Sequence, residues 1–311
     1  VARFHEQIAS DLPQVDLLCR FVERYRGKML RPSLAVLAAS AVRPGAVDVA
    51  DPVITVGAVI EMIHIATLVH DDVLDDADTR RGGPTINRMH GEEAAVIFGD
   101  YLISQSFHLC SGLNDQAIAL RVGEVTSTVC AGEMLQLSNR GNADLDEATY
   151  FSIIDRKTAA LIALACELGA RVAGASEADQ HRLGSYGRRL GMAFQIQDDL
   201  LDITGAEEVV GKPLGKDVEK GKITLPLIHF LRHGPAQERQ AMRERIRVEQ
   251  PLNGSRPALH SRLERAGSIA YARAAAVRLV AEAKAELASF GPSGAKDTLL
   301  ALADAVIARD H

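Results

Sequence analysis

One acidic pattern occurs twice in this chain, each time directly after an apolar segment with helical periodicity. Asp71-Asp72-Val73-Leu74-Asp75 follows residues 60–69, and Asp198-Asp199-Leu200-Leu201-Asp202 follows residues 190–196. Residues four apart lie one above the other on a helix, so the first and last aspartates of each run share a helix face. The pattern therefore predicts a helical chain with two carboxylate clusters that emerge from its interior.

The two clusters predict a divalent metal site. Like charges this close repel and raise carboxylate pKa values, which indicates compensation by bound cations. Oxygen ligands suit hard cations such as Mg²⁺, which binds through one or two carboxylates together with substrate phosphates. One acidic run alone is usually a solvated helix face or a charge at a helix terminus. Two copies favour two half-sites that face each other and hold a phosphorylated ligand.

The length and composition predict one large helical domain. The 311 residues contain no linker, charge block or low-complexity tract, so we expect a single domain over residues 1–311. Breaks at residues 43–52, 139–147, 205–221, 250–257 and 290–296 indicate loops between helices. A hydrophobic content of 47% can bury a large core, and with 4% aromatic residues its packing depends on aliphatic side chains.

Charge and cysteine usage exclude several classes of protein. A net charge of −6 argues against a general nucleic-acid binder. The four cysteines show no CxxC spacing, which indicates buried free thiols in a reducing compartment and no metal bound through sulfur. Residues 53–69 contain Glu61 and His64 and therefore predict a core helix rather than a membrane span. The first residues show no signal-peptide architecture, so we expect a cytoplasmic location.

Basic stretches near the two clusters could bind an anionic substrate. They are Arg80-Arg81-Gly82-Gly83, Arg26-Gly27-Lys28-Met29-Leu30-Arg31-Pro32, and Gly211-Lys212-Pro213-Leu214-Gly215-Lys216-Asp217 with Gly221-Lys222. Arginine binds phosphate oxygens through two nitrogens, and glycine allows close backbone approach. Each stretch alone is also typical of a solvated loop.

The order and spacing of these blocks resemble the trans-type polyprenyl diphosphate synthases, the polyprenyl synthetase family, which condenses isopentenyl diphosphate with an allylic diphosphate. The resemblance spans nearly the whole chain. Its blocks are Gly27-Lys28-x-x-Arg31-Pro32, Glu61-Met62-Ile63-His64, His70 to Asp75 with Arg80-Arg81-Gly82, Gly132-Glu133 with Gln136, Lys157-Thr158, Phe194-Gln195-x-x-Asp198-Asp199-x-x-Asp202, Gly211-Lys212 to Asp217, and Lys222 with Thr224-Leu225-Pro226. One departure is Arg26, where the family often has a second glycine.

The resemblance implies a role for each group of polar residues. Six aspartates would coordinate about three Mg²⁺ ions that bind the allylic diphosphate: Asp71, Asp72, Asp75, Asp198, Asp199 and Asp202. The cations Arg80, Lys157, Lys212 and Lys222 would complete that site, and a metal-free isopentenyl diphosphate site would use Lys28, Arg31, His64 and Arg81. An isolated histidine on an apolar helix can also be a core residue with one hydrogen bond, so the role of His64 depends on the resemblance.

The implied mechanism follows from where charge develops. Ionisation of the allylic C–O bond creates a diphosphate and a carbocation, so positive charge on the leaving group lowers the barrier while water is excluded from the cation. The resemblance implies that the dipoles of Thr158 and Gln195 lie near this cation. The double bond of isopentenyl diphosphate attacks it, and the departing diphosphate removes the final proton. No Ser or Cys nucleophile is required.

The implied fold is all-α: a single-domain bundle of roughly ten or more mostly antiparallel helices around a deep central cavity, of the isoprenoid synthase type. The residues themselves support only the helical class and the short connections. A homodimer is the usual state of the family, and residues 92–110 are a candidate contact helix. We expect no transmembrane segment, and peripheral membrane contact would serve product release.

Product length is predicted from the residues that precede the first cluster. In this family the growing tail passes beside that helix, and bulky aromatics four or five residues before the cluster stop its growth. Here these positions are Thr67 and Ala66, which cannot block a tail, and the cluster lacks the two-residue insertion of many short-chain bacterial members. We therefore predict a product longer than C15, with Phe107, or Ile60 and Ile63, as the candidate floor.

Three other functions compete with this one. A class I terpene cyclase also uses an aspartate-rich helix, but it would need an Asn/Asp-Ser/Thr-Glu second motif, whereas this chain has a second aspartate cluster. A non-catalytic subunit of a heteromeric synthase would keep the fold and lose aspartates, and both clusters are complete here. A helical scaffold would leave the order of acidic and basic blocks unexplained.

Overall fold

The computed structural model of the chain describes residues 1–25, 27–44, 51–205, 220–247 and 256–308, without the side chains of residues 23, 24, 256 and 257. Most of these residues are helical, which confirms the predicted all-α class. The loops at residues 139–146 and 287–293 overlap two of the predicted breaks. The other three predicted breaks lie largely outside the described residues.

The helices of the described residues range from 5 to 28 residues in length. In chain order they are α1 (Ala2–Ile8), α2 (Pro13–Phe21), α3 (Leu30–Val42), α4 (Asp51–Leu74), α5 (Ile86–His90), α6 (Glu92–Ser111), α7 (Gln116–Ser138), α8 (Glu147–Ile154), α9 (Ala160–Val172), α10 (Glu177–Thr204), α11 (Leu225–His233), α12 (Ala236–Arg247), α13 (Arg256–Arg265), α14 (Ser268–Glu286) and α15 (Gly294–Ile307). A 3₁₀ turn (Val22–Tyr25) follows α2, and a π-helical turn (Asp155–Ala159) joins α8 to α9. Strands β1 (Thr79–Arg80) and β2 (Gly83–Pro84) pair antiparallel.

The chain forms two compact units. The first comprises Val1–Thr126, Leu161–Gly187 and Ser289–Leu299, and the second comprises Ser127–Ala160, Arg188–Ala288 and Leu300–His311. The first aspartate cluster belongs to the first unit and the second cluster to the second. The single domain expected from the sequence stays a prediction.

Helix α4 is the central element of the first unit. It packs against α3 and α6, where Gly57 faces Pro32 and Gly99 faces the ring of His70. Within the described residues, α4 is the one helix that is long and apolar enough to cross a membrane, and 72% of its apolar stretch is buried inside the protein. This burial fits the prediction of a core helix.

Three of the four cysteines match the prediction of buried free thiols. Cys19, Cys110 and Cys166 are buried and free, and burial raises the pKa of Cys166 to about 12. The prediction is wrong for Cys130, which is free but exposed on α7. Its neighbour Val129 is buried, so Cys130 lies on the outer face of the same helix.

Candidate active site

The first aspartate cluster occupies the last turn of α4 and the residue after it. The amide of Asp75 donates to the carbonyl of Asp71 over 2.9 Å, so these two residues stack one turn apart as predicted. Both are half-buried, whereas Asp72 is only 1% exposed. The cluster therefore presents two carboxylates on one face and turns the third into the protein.

The buried carboxylate of Asp72 is the centre of a hydrogen-bond network. Arg80 Nε donates to its Oδ1 and Oδ2 over 2.9 and 3.0 Å, and Arg80 Nη2 lies 2.7 Å from Oδ1. The hydroxyl of Tyr25 donates to Oδ2 over 2.8 Å and accepts from the amide of Ile86. Burial raises the pKa of Tyr25, which keeps the phenol a donor. Asp72 thus fixes Arg80 at the first cluster.

The hairpin β1–β2 positions the two arginines. Arg80 pairs with Gly83, and the turn between them consists of Arg81 (φ 51°) and Gly82 (φ 76°). Two central residues with positive φ are the mark of a type I′ turn, which matches the twist of a tight hairpin. Arg81 Nη1 donates to the carbonyl of Tyr25, and a Cβ at Gly27 would collide with this guanidinium. Gly27 is therefore the residue that leaves room for Arg81.

Arg31, His64 and Arg81 lie close enough in the first unit to influence one another's charge, and this group is called the basic pocket. Burial lowers the pKa of Arg31 to about 10, although the charge of Glu61 acts in the opposite direction. Burial also lowers the pKa of His64 well below its ordinary value, and the charges of Arg31 and Arg81 add to this effect. The imidazole is therefore neutral near pH 7. Buried Arg31 Nε has no hydrogen-bond partner in the part of the chain that the structure describes. This orphaned donor fits an anionic ligand. Lys28 lies exposed in the loop before α3.

The three residues assigned to product length differ in burial. Ala66 has no exposed surface and belongs to an apolar cluster with Phe4, Phe98 and Leu102. Thr67 is half-buried, and its hydroxyl donates to the carbonyl of His64 over 2.7 Å. Phe107 on α6 is also half-buried. The chain-length role of these residues stays a prediction, and Thr67 is more accessible than Ala66.

The second cluster lies near the end of α10 and has a buried second aspartate like the first. Asp198 is half-buried, whereas Asp199 and Asp202 are each 5% exposed. The hydroxyl of Tyr150 donates to Asp199 Oδ2 over 2.7 Å. Gln195 Nε2 donates to Asp199 Oδ1 over 2.9 Å. Asp199 therefore orients the amide of Gln195.

Thr158 and Lys157 lie in the π-helical turn between α8 and α9. The hydroxyl of Thr158 donates to Gln195 Oε1 over 2.8 Å, which extends the network from Asp199. Lys157 forms an ion pair with Glu133 on α7. A Cβ at Gly132 would lie 2.7 Å from the Lys157 amide nitrogen, so glycine allows α7 to approach this turn. Single π-turns inside α-helices are frequent at functional sites.

A cavity of about 100 Å³ adjoins these residues in the second unit. Its polar wall includes Lys157, Thr158, Gln195, Asp199 and Lys222, and its apolar wall includes Leu145, Ile153 and Ile154. The structure thus brings five of the predicted site residues together. Lys212, predicted to contact the same diphosphate, lies outside the described residues.

The donor set fits a divalent metal that completes its coordination with ligand oxygens. Asp71 and Asp75 supply oxygen donors one helix turn apart, and Asp198 and Asp202 have the same spacing. Among the described residues, no group of three or more His, Cys, Asp or Glu side chains forms a closed metal site. Mg²⁺ commonly binds through one or two carboxylates plus substrate phosphates, so an open site of this kind suits it.

Four site residues were not assigned a role from the sequence. Tyr25 and Tyr150 hold the second aspartate of each cluster, Glu61 offsets the charge of Arg31, and Glu133 pairs with Lys157. Glu61 and Glu133 lie in the sequence blocks that resemble the family, so a role for them could have been predicted. Tyr25 and Tyr150 lie 47 and 49 residues from their partners. Local spacing carries no signal for such contacts.

Comparison with known proteins gives a consistent result. The model of the family described as polyprenyl synthetase matches residues 15–256. Octaprenyl diphosphate synthase of Escherichia coli (strain K12) is 35% identical over 306 residues, which cover 98% of this chain and 93% of that protein.

Two solved structures resemble the whole chain. A decaprenyl diphosphate synthase from Rhodobacter capsulatus has a TM-score of 0.91 and 32% identity, covering 100% of this chain and 94% of its own. A polyprenyl synthase from Caulobacter crescentus CB15, complexed with calcium and isoprenyl diphosphate, has a TM-score of 0.91 and 32% identity. The match covers 99% of this chain and 93% of that one. These matches agree with the all-α fold described above. The chain therefore belongs to the polyprenyl synthetase family, the trans-prenyltransferases that make polyprenyl diphosphates.

Proposed function

We propose that this enzyme condenses isopentenyl diphosphate with an allylic diphosphate and releases a trans-polyprenyl diphosphate longer than C15. The observation that carries the proposal is the cavity of the second unit. It joins two cations, Lys157 and Lys222, and the oriented pair Thr158 and Gln195 to an apolar wall. Cations suit a leaving diphosphate, and dipoles beside an apolar wall suit a hydrocarbon cation.

The basic pocket of the first unit is assigned to isopentenyl diphosphate. Arg31 offers a buried donor without a partner among the described residues, and Arg81 is held beside Gly27 by the Tyr25 carbonyl. Neutral His64 can donate one hydrogen bond without adding a third positive charge to the pocket. Lys28 is exposed on the adjacent loop, where a flexible ammonium group can meet the incoming anion.

The allylic diphosphate is assigned to the two aspartate clusters and their cations. Asp71, Asp75, Asp198 and Asp202 would hold divalent metal, whose charge when bound offsets that of the leaving diphosphate. Arg80, kept in place by Asp72, binds the same diphosphate in this scheme. Asp72 and Asp199 instead accept hydrogen bonds from protein donors.

Cleavage of the allylic C–O bond leaves a carbocation that Thr158 and Gln195 stabilise. The Gln195 amide is held at both ends, by Asp199 and by the Thr158 hydroxyl, so its dipole needs no reorganisation during the reaction. The apolar wall of the cavity excludes water from the cation. The double bond of isopentenyl diphosphate then forms the new C–C bond, and the released diphosphate accepts the proton that is lost.

Turnover by the purified chain alone tests this proposal. The chain is incubated with isopentenyl diphosphate, farnesyl diphosphate and Mg²⁺, and the products are separated by chain length. We expect lengthened diphosphates that require both substrates. Consumption of farnesyl diphosphate without isopentenyl diphosphate would indicate a cyclase. No reaction would refute the proposal for the isolated chain and point to a subunit of a heteromeric synthase.

We further propose that the chain works as a homodimer. Val96 and Ile97 on α6 are 42% and 68% exposed, a large apolar surface for neighbouring residues of a core-packed helix. Light scattering of the purified chain should give twice the monomer mass, and the Ile97→Glu variant should give the mass of one monomer. Val277→Glu is the control, because this exposed apolar residue lies on α14. A monomeric wild-type chain would contradict the proposal.

A further inference from the structure

The second aspartate of each cluster is bound by a buried tyrosine. The Tyr25 hydroxyl lies 2.8 Å from Asp72 Oδ2, and the Tyr150 hydroxyl lies 2.7 Å from Asp199 Oδ2. The two tyrosines are 2% and 3% exposed. They come from unrelated elements, a 3₁₀ turn and a helix, and reach equivalent carboxylates in separate units. The same arrangement therefore occurs twice without a shared local sequence.

In each case a further donor to the aspartate is a side chain assigned to the substrate. Asp72 accepts from Arg80 through two of its nitrogens, and Asp199 accepts from the amide of Gln195. An amide that donates through nitrogen to Asp199 must present its oxygen elsewhere, and that oxygen accepts from Thr158. The orientation of Gln195 and Thr158 therefore depends on where the Asp199 carboxylate lies.

A carboxylate with two acceptor oxygens needs more than one donor to be fixed in direction. Arg80 and Gln195 are themselves half-buried, flexible side chains, so a contact with either one does not fix the aspartate relative to the core. The hydroxyl of a tyrosine held rigidly in the core supplies such a fixed point of attachment. Hydrogen bonds to an ionised acceptor are short and strong, which matches distances of 2.7 and 2.8 Å.

We propose that Tyr25 and Tyr150 are positioning residues of the prenyl transfer reaction. Tyr25 fixes Asp72 so that Arg80 is aimed at the allylic diphosphate, and Tyr150 fixes Asp199 so that Gln195 and Thr158 are aimed at the carbocation. The inference rests on the proposed function. It assigns to these two tyrosines an effect on the reaction that they exert through the aspartates to which they donate.

The test compares Tyr25→Phe and Tyr150→Phe with a matched control, Tyr186→Phe. Tyr186 is fully buried and its hydroxyl donates to the Leu299 carbonyl over 2.7 Å, so the control loses a buried tyrosine hydrogen bond of the same length. Each variant is assayed for kcat, for KM of both substrates, and for binding of Mg²⁺ with inorganic diphosphate by calorimetry. The last measurement requires no turnover.

The two variants should fail in different ways. We expect Tyr150→Phe to lower kcat roughly tenfold or more, with Mg²⁺–diphosphate affinity within about twofold of wild type. We expect Tyr25→Phe to raise KM for the allylic diphosphate by a similar factor, while KM for isopentenyl diphosphate stays unchanged. Tyr186→Phe should leave all four quantities unchanged. If both variants match Tyr186→Phe, the proposal is overturned.

A second variant, Asp199→Asn, keeps the test decisive if Tyr150→Phe unfolds. The asparagine retains an oxygen for Tyr150 but presents an NH₂ group to the Gln195 nitrogen. We expect the same fall in kcat with Mg²⁺–diphosphate binding retained. Loss of that binding would mean that Asp199 is itself a metal ligand, and would overturn the positioning role. A wild-type chain that makes no product would refute the proposed function instead.

Discussion

Gly27 is predicted to control the position of the Arg81 guanidinium. A Cβ at residue 27 would stand 2.5 Å from Nη2 and 2.7 Å from Nη1 of Arg81, whereas ordinary contacts begin at 3.4 Å. The guanidinium would have to retreat by about 0.9 Å, because the difference between 2.5 and 3.4 Å must be made up. Its hydrogen bond to the Tyr25 carbonyl, now 2.5 Å, would lengthen or break.

The magnitude follows from what Arg81 is proposed to do. Misplacing a substrate-positioning group by about 1 Å can cost about a hundredfold in rate. Losing a hydrogen bond to a charged group costs about 1.5–3 kcal/mol, or roughly 10- to 150-fold. We therefore expect Gly27→Ala to raise KM for isopentenyl diphosphate by roughly ten- to a hundredfold. Gly27 is exposed, so the free energy of unfolding should fall by no more than about 1.5–3 kcal/mol, the contribution of the Arg81 hydrogen bond to the Tyr25 carbonyl.

Initial rates with each substrate varied in turn measure this effect. Gly291→Ala is the matched control, because a Cβ there meets no atom within 4 Å. In an Arg81→Ala background, Gly27→Ala should have little further effect, since the displaced group is already gone. An unchanged KM, or an undiminished effect in that background, would refute the reasoning.

Three further predictions concern the clusters, the basic pocket and product length. Asp71→Ala and Asp198→Ala should each abolish Mg²⁺-dependent condensation. The circular dichroism of both variants should be unchanged, because removing one of several like charges does not destabilise the fold. Full activity in either variant would contradict the metal role. The pKa of His64 is lowered in the folded protein, so as pH falls below about 6.5 the histidine is protonated in the unfolded chain before it is protonated in the folded one. The free energy of unfolding therefore decreases as pH falls, by up to about 1.4 kcal/mol per pH unit. His64→Gln should flatten this slope in denaturant titrations between about pH 5 and 7, and an equal slope in both proteins would be inconsistent with it. Thr67→Phe should shorten the products, which chromatography measures. Ala66→Phe should lower the free energy of unfolding by about 1–3 kcal/mol, because Ala66 is fully buried. Unchanged product lengths in both variants would contradict the prediction that the growing tail passes beside α4.

Much of the candidate site could be predicted because its residues follow local rules. The aspartates repeat with helical spacing, and the structure places Asp71 and Asp75 one turn apart on α4 as expected. The helical class also followed from apolar periodicity. The type I′ turn at Arg81 was not predicted, because a non-glycine residue with positive φ is uncommon and its sequence signal is weak. The π-helical turn at Lys157 has no composition that marks it in a single sequence.

The long-range contacts lay beyond the reach of sequence patterns. Tyr25 and Asp72 are 47 residues apart, and Tyr150 and Asp199 are 49 apart. Such pairs depend on how helices pack, and periodicity reports only which face of one helix is apolar. The contacts of Ala66 in the apolar cluster with Phe4, Phe98 and Leu102 could not be predicted for the same reason.

Helix geometry explains why the three aspartates of each cluster differ. Successive residues on an α-helix are turned by about 100°, so the second aspartate of the pattern points well away from the first, whereas the fourth residue after the first returns to its face. In this structure the turned-away residues, Asp72 and Asp199, are buried and bound by protein donors. The first cluster follows this rule, with Asp71 and Asp75 half-buried. The second follows it only at Asp198, because Asp202 is as deeply buried as Asp199, so packing around the end of α10 overrides the spacing there.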